Sequence, residues 1–441
     1  MHGDETYEEV YRLTTSTKTK LSPVDLLRKH LYTVPLVLSA VLLLFAICVQ
    51  PDITLLTGWW NIQMSDTGLI TDPVAIGGVG AALLNSALIL FLSTMLVRYE
   101  RAPFSGVSLA CLFMMAGFAL LGKNLFNMAP VMLGGWLYSR YQQESFARVI
   151  YLTMYATCLS PLVSFTFNHA QTWLRIPAML LCGVLIGFLM PAVAGFTIRV
   201  HQGYNLYNVG FAAGFLALAI ASILKGLGIT LTLETTWGSE NHVELLLLLS
   251  ILIVALFLLG VLLGCRNWRT YRPILRHSGR AVADFILLDN VATTFVNMAL
   301  VGAVSLLYLL ALYPLGVRLN GPLTCCVISI MGFGAFGMHL KNITPVMLGA
   351  FLAAFFLPQL PFTSPGVLLA LLLCTGLAPI AGQFGWQWGV VAGFIHMCVV
   401  QHTSGLQGGM NLYNNGFTAG LVCVLLVPII EALKPEPEEE F

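Results

Sequence analysis

The residues best equipped for chemistry are uncharged amides set beside glycine and proline, and they occur twice. Gly122-Lys-Asn124-Leu-Phe-Asn127-Met-Ala-Pro130-Val-Met-Leu-Gly134 returns 215 residues later as Gly337-Met-His-Leu-Lys-Asn342-Ile-Thr-Pro345-Val-Met-Leu-Gly349. Asn205-Leu-Tyr-Asn208-Val-Gly210-Phe-Ala-Ala-Gly214 returns 206 residues later as Asn411-Leu-Tyr-Asn414-Asn415-Gly416-Phe-Thr-Ala-Gly420. An amide side chain both donates and accepts without carrying charge, so such clusters suit a polar solute held in a low-dielectric interior. Asn is a good N-cap and proline suits a first helical turn. The first motif therefore predicts that a helix starts at Pro130 and again at Pro345, its free N–H groups and dipole aimed back toward Asn127 and Asn342. In the second motif the amides stand three apart, on one face of a helix, and the four-residue glycine spacing permits close helix approach. The candidate solute-binding residues are thus Asn124, Asn127, Pro130, Asn205, Asn208, Asn342, Pro345, Asn411, Asn414 and Asn415; the competing reading is that these amides glue helices together.

Asp72 and Asp289 match between the halves in Asp72-Pro-Val-Ala75 and Asp289-Asn-Val-Ala292, and each opens an apolar span. Ion coordination or a plain N-cap would suit either. On this register Asn85 faces Gly302 and Asn297 faces Gly80, leaving the two mid-span amides at different depths. Every Asp and Glu lies in a loop or near a helix end, which argues against carboxylate-based proton coupling, where intramembrane acids are usual. His201, His339 and His402 flank the motifs and His396 lies within a span; hydrogen-bonded packing is the plain reading of each. The ten cysteines form no C-x-x-C pair and no zinc spacing, so they read as small apolar residues and no metal or cofactor is expected. Nucleotide-binding and hydrolase motifs are missing as well, so no enzymatic activity is expected.

The elements that position these residues must be membrane helices. The 441-residue chain is 58% hydrophobic and 9% charged, against about 25% charged in a soluble protein. Many apolar runs reach the roughly 20 residues needed to cross a ~30 Å core. No basic patch with interleaved aromatics suggests nucleic acid. Four matched blocks in one order, the fourth being Leu159-Ser-Pro161-Leu with Leu377-Ala-Pro379-Ile, point to a duplication. The layout is a polar cytoplasmic stretch at 1–30, membrane repeats at 31–228 and 243–433, and an acidic tail at 434–441. Lys and Arg collect in cytoplasmic loops. With both termini inside and seven crossings per half, the Arg266–Arg280 loop falls inside. Only Lys123, Arg175, Lys225 and Arg318 of the 21 basic residues then fall outside. An odd number of crossings inverts the second repeat. The expected fold is therefore all-α, a polytopic membrane protein with two inverted-topology repeats of about six to seven helical segments each. Its broken or re-entrant helices include 129–138 and 344–357.

The paired G-x-x-x-x-N-x-x-P-V-M-L-G and N-L-Y-N-x-G-F-x-A-G blocks resemble those of an uncharacterised family of bacterial multi-pass membrane proteins carrying a tandem domain of unknown function. That resemblance implies a bacterial plasma-membrane location and no established activity. A fainter similarity to urea transporters rests on Gly203-Tyr-Asn205 and Gly409-Met-Asn411, and no residue role is carried over from it. Two functions fit. The first is a transporter or channel for a small polar solute bound near the midplane between the repeats, with Na⁺ or H⁺ as candidate coupling ion and homo-oligomerisation left open. The second is an integral-membrane enzyme on a lipid-linked or amphiphilic substrate, whose phosphate Arg98, Arg101, Arg266, Arg269 and Arg272 would hold.

Overall fold

The computed structural model describes residues 30–229, 231 and 235–433. Apart from His30, the polar N-terminal stretch and the acidic tail lie outside them. Among the described residues the fold is all-helical, with no strand and one isolated bridge between Asp284 and Phe336.

Twenty helices follow in order. The first half holds α1 (Thr33–Val49), α2 (Thr54–Met64), α3 (Pro73–Gly77), α4 (Val79–Tyr99), α5 (Gly106–Phe118) and α6 (Leu125–Tyr141), then α7 (Ile150–Ala156), α8 (Ser160–His169), α9 (Arg175–Val200) and α10 (Asn208–Gly226). The second half holds α11 (His242–Leu262), α12 (Trp268–Tyr271), α13 (Phe285–Leu288), α14 (Val291–Ala311), α15 (Gly321–Phe333) and α16 (Leu340–Phe356), then α17 (Pro365–Leu373), α18 (Ala378–Phe384), α19 (Trp386–Leu406) and α20 (Asn414–Ala432). Equivalent helices match in length: 21 residues in α4 and α14, 13 in α5 and α15, 17 in α6 and α16, and 19 in α10 and α20. Among the described residues eight helical segments, α7 with α8 and α17 with α18 each counting as one, are long and apolar enough to cross a membrane, or nine if α1 and α2, bent by 118°, make one span. Their outward faces carry bare Leu, Ile, Val and Phe, such as Leu181, Leu258 and Phe215. Water does not tolerate so continuous an apolar surface and lipid does. This is a membrane protein.

Seven full crossings per half overstates the count. The apolar run at 104–122, which a count of seven needs as a crossing, holds only the 13-residue α5, about 20 Å long at 1.5 Å per residue and short of the hydrocarbon core. The following segment is longer than 129–138, because α6 starts at Leu125. Pro130 lies inside α6 and Pro345 inside α16, so neither proline begins its helix. The N-cap is Asn124, and Asn127 occupies the third helical position in a reciprocal capping box. At α16 half of such a box remains: Asn342 Oδ1 accepts from His339 N, while His339 Nδ1 has no partner. The proline rings instead press on glycines of the long neighbouring helices: a Cβ at Gly183 would strike Pro130, and one at Gly389 would strike Pro345. Small residues at such contacts let helix backbones approach closely where hydrophobic burial offers no drive.

The two halves meet along two helix pairs. α5 runs antiparallel to α15: Gly106 abuts Ala335, Gly117 abuts Cys325, and Leu120 abuts Gly321. α10 meets α20 where Gly210 and Gly416 touch, a Cβ at Gly210 falling 2.9 Å from the Gly416 Cα. Both contacts repeat with the halves exchanged, so a pseudo-two-fold relates the repeats.

That symmetry corrects one register. Across α3–α4 and α13–α14 the offset is 212 residues, and Asp72 corresponds to Asp284 in place of Asp289. Asp284 caps α13 and also accepts from Gly106 N and Val107 N at 3.1 and 3.2 Å, the open start of α5 in the other half. Asp72 caps α3, accepts from Gly238 N at 3.1 Å, and bonds Gly321 N at the start of α15. Each carboxylate therefore satisfies the positive end of the other repeat's short helix. These are structural caps. Asp289 pairs with His277 at 2.9 Å instead. The amide mismatch also disappears: Asn85 and Asn297 are equivalent at offset 212.

Candidate functional site

The centre of the molecule is built from the two breaks where α5 gives way to α6 and α15 to α16. Gly122 and Gly337 turn the chain with φ of 111° and 85°, angles that a side chain would strain. A break inside hydrocarbon leaves carbonyls and amides that water cannot reach, and each must find a partner. Asn85 Nδ2 donates to Ala119 O and Lys123 O at 3.0 and 2.8 Å, and Asn297 Nδ2 donates to Gly334 O and Met338 O at 2.7 Å each. Asn127 Nδ2 donates to Gly122 O, and Asn342 Nδ2 to Gly337 O. Asn124 Oδ1 takes the Asn127 N–H, while Gln63 Oε1 takes those of Leu125 and Phe126. The first N–H groups of α6 are thus occupied. Asn124, Asn127 and Asn342 are scaffold.

The second motif divides. Asn205 Oδ1 accepts from Tyr207 N and its Nδ2 reaches Gly416 O at 2.8 Å; Asn411 accepts from Tyr413 N and reaches Gly210 O at 3.4 Å. These are reciprocal clasps between halves. Asn208 is saturated by Thr197, His201 and Ala194. Its counterpart Asn414 differs: it donates weakly to Val400 O at 3.5 Å, and its Oδ1 has no partner. The Oδ1 of Asn415 has none either. Both side chains are nearly fully buried. Of the ten candidate residues, Asn414 and Asn415 alone keep an unspent acceptor.

The two residues line a cavity of about 290 Å³ with Leu69, Ile70, Ser364, Gln401 and Ser404, their Oδ1 atoms themselves being buried beneath its wall. A second cavity, about 320 Å³, holds the symmetry-related positions: Ala281 and Val282 for Leu69 and Ile70, Tyr151 for Gly366, Ile198 for Ser404, and Asn208 and Val209 for Asn414 and Asn415. The larger also takes in Val107, Phe333 and Phe336, at the end of the α5–α15 pair where Asp284 sits. The smaller lies beside Leu69 and Ile70, at the Asp72 end. Between them stands the α10–α20 crossing, with Tyr207 and Tyr413 at its start. Symmetry is broken in their linings. The smaller cavity carries hydroxyls and amides; the larger carries Met114, Leu152, Tyr155 and aromatic rings, with the exposed Arg148 at its mouth.

Sequence reasoning placed Lys123 in an outside loop. It is fully buried at the first break. Its Nζ donates to Tyr413 Oη at 2.6 Å and approaches Met115 Sδ at 3.7 Å, over the rings of Tyr413 and Phe118 at 4.6 and 5.6 Å. Among the described residues no carboxylate lies within ion-pair distance of it. Met338 occupies the equivalent position. A lysine replacing a methionine between two apolar repeat segments was the available signal. The cysteines are mostly buried as expected, but Cys48 is exposed, and no group of three or more His, Cys, Asp or Glu has metal-binding geometry among the described residues.

The model of the family described as "Protein of unknown function (DUF1576)" matches this chain twice, over residues 52–226 and 266–432. The chain belongs to the DUF1576 family. Its two matches fall one in each helical half, over α2–α10 and α12–α20, so the tandem repeat belongs to the DUF1576 domain itself. No curated protein and no solved structure matches the chain significantly.

Proposed function

We propose that this DUF1576 protein is a transporter or channel for a small polar solute in the bacterial inner membrane, with its termini in the cytoplasm. The observation that carries the reading is the pair of symmetry-related cavities at opposite ends of the α5–α15 pair, closed from each other by the α10–α20 crossing. Antiparallel pairing of equivalent helices supports inverted repeats with their axis in the membrane plane, the arrangement of many secondary transporters. Rocking of one half against the other about the Gly210–Gly416 contact would open one cavity toward the centre while closing its mate. Asn414 and Asn415 are the polar contacts on one side of that path. The reading assigns no chemical step to the protein and no cofactor.

The test is reconstitution. Protein in proteoliposomes, given neutral and charged solutes of up to about six heavy atoms with and without imposed Na⁺ or H⁺ gradients, is expected to move at least one of them. Acceleration by a gradient separates coupled transport from a channel. A verified folded protein that moves none of the panel sinks the reading.

A further inference from the structure

Among the described residues Lys123 is the one lysine or arginine fully buried at the centre of the fold, and its surroundings hold no counter-ion for its ammonium form. An ammonium has three donors. One oxygen acceptor, the Tyr413 hydroxyl, and one thioether sulfur lie within bonding range. Two ring faces offset part of the desolvation, but cation–π attraction does not replace a counter-ion in a dry interior. The fold does not require the charge. At the symmetry-related break Met338 takes the same place and the helices on either side keep the same lengths. Charged groups buried in membrane proteins mark solute and ion pathways by default.

The neighbouring cavity has complementary chemistry. Tyr413, which accepts from Lys123, is part of the wall of the larger cavity. Its own hydroxyl hydrogen has no acceptor among the described residues, so it can bond an arriving oxyanion while its oxygen stays with the ammonium. The rest of the wall is largely apolar, and the exposed Arg148 guanidinium at the mouth is paired with Glu144 at 2.9 Å. A volume of about 320 Å³ admits a body of several carbons behind one charged head.

We infer that the solute is a small monoanion, and that Lys123, relayed by Tyr413, is its counter-charge at the inner end of the Arg148 cavity. This deepens the transport reading and rests on it for the word "solute"; anion binding at Lys123 stands or falls separately.

The experiment uses the full-length protein in detergent. Its unfolding midpoint is measured against the sodium salts of acetate, butyrate, benzoate, nitrate and chloride at constant ionic strength, with acetamide and butyramide as neutral counterparts. At least one monoanion is expected to raise the midpoint saturably while its neutral counterpart does not. The carboxylate and inorganic arms tell an organic from an inorganic anion. Lys123→Met, which copies the other repeat, is expected to fold at least as stably and to bind that anion about tenfold or more weakly. No shift with any monoanion, or an unchanged shift in Lys123→Met, overturns the inference. Should Lys123→Met not fold, Tyr413→Phe decides in its place: weaker anion binding supports the inference and unchanged binding overturns it. Uptake then separates the two readings. Lys123-dependent binding without flux retires transport and keeps the anion site, whereas flux of neutral solutes alone retires the anion and keeps transport.

Discussion

Replacing Asn85 or Asn297 by leucine tests whether the helix breaks are held by buried amides. Leucine has a similar volume, so the change removes hydrogen bonds with little cavity or overpacking. In Asn85→Leu the carbonyls of Ala119 and Lys123 lose their side-chain donor, and the Gln63 amide loses its buried acceptor. In Asn297→Leu the carbonyls of Gly334 and Met338 are stranded together with the Tyr271 hydroxyl. Each stranded buried group costs roughly 1–3 kcal/mol, and the added apolar side chain returns about 1–2 kcal/mol. The expected net loss is about 2–7 kcal/mol for each variant. It should be similar in the two, because three partners are lost in both. The assay is unfolding in mixed micelles of increasing denaturing detergent, followed by tryptophan fluorescence. Two variants within about 0.5 kcal/mol of the parent would refute the argument. So would a heavy loss in one and none in the other, which would deny the equivalence of these residues.

Other substitutions probe the halves and the cavities. Gly210→Ala or Gly416→Ala places a Cβ 2.8 Å from the Tyr413 or Tyr207 backbone oxygen or side chain across the crossing, so each should cost about 1–3 kcal/mol through overpacking and slow any uptake, read by the same unfolding assay and by flux. Asn415→Leu removes an acceptor that has no partner; stability should hold or rise while solute binding falls, and an unchanged binding isotherm would remove Asn415 from the path. Lys225→Cys and Glu431→Cys, at equivalent exposed positions near the ends of α10 and α20 and made in a Cys48→Ser background, should be labelled by an impermeant maleimide from opposite faces of the membrane. Labelling of both from one face would contradict inverted repeats.

Much of the plan was legible in the chain because it is written locally. Hydrocarbon forbids exposed polar backbone, so long apolar runs had to be helices. A duplicated sequence had to give duplicated structure, which is why the motif pairs at offsets 215 and 206 land on equivalent helices. Helix starts were less legible. The Asn–Pro pairing suggested starts at Pro130 and Pro345, but the N-caps Asn124 and His339 begin the helices at Leu125 and Leu340. Proline with five helical residues before it is tolerated there because its ring fills the space over a glycine of the next long helix.

The pairing of Asp72 failed for a related reason. Sequence matching paired Asp72 with Asp289 on the shared Asp-x-Val-Ala pattern. What aligns the two acids physically is the helix start each caps in the opposite half, a contact between residues more than 170 positions apart in the chain. Lys123 was misplaced because charge counting treats every lysine between apolar segments as a loop residue. Only packing of α5, α6 and α20 around it shows that no water-facing loop exists there.

The chain alone therefore determined the membrane environment, the helical class and the duplication, since all three follow from transfer free energies and repetition along one dimension. The tertiary structure decided which polar groups are spent and which remain. A donor or acceptor is satisfied or orphaned by neighbours far away in sequence, and that distinction turned most of the amides into scaffold and left Asn414, Asn415 and Lys123 with bonding capacity unused.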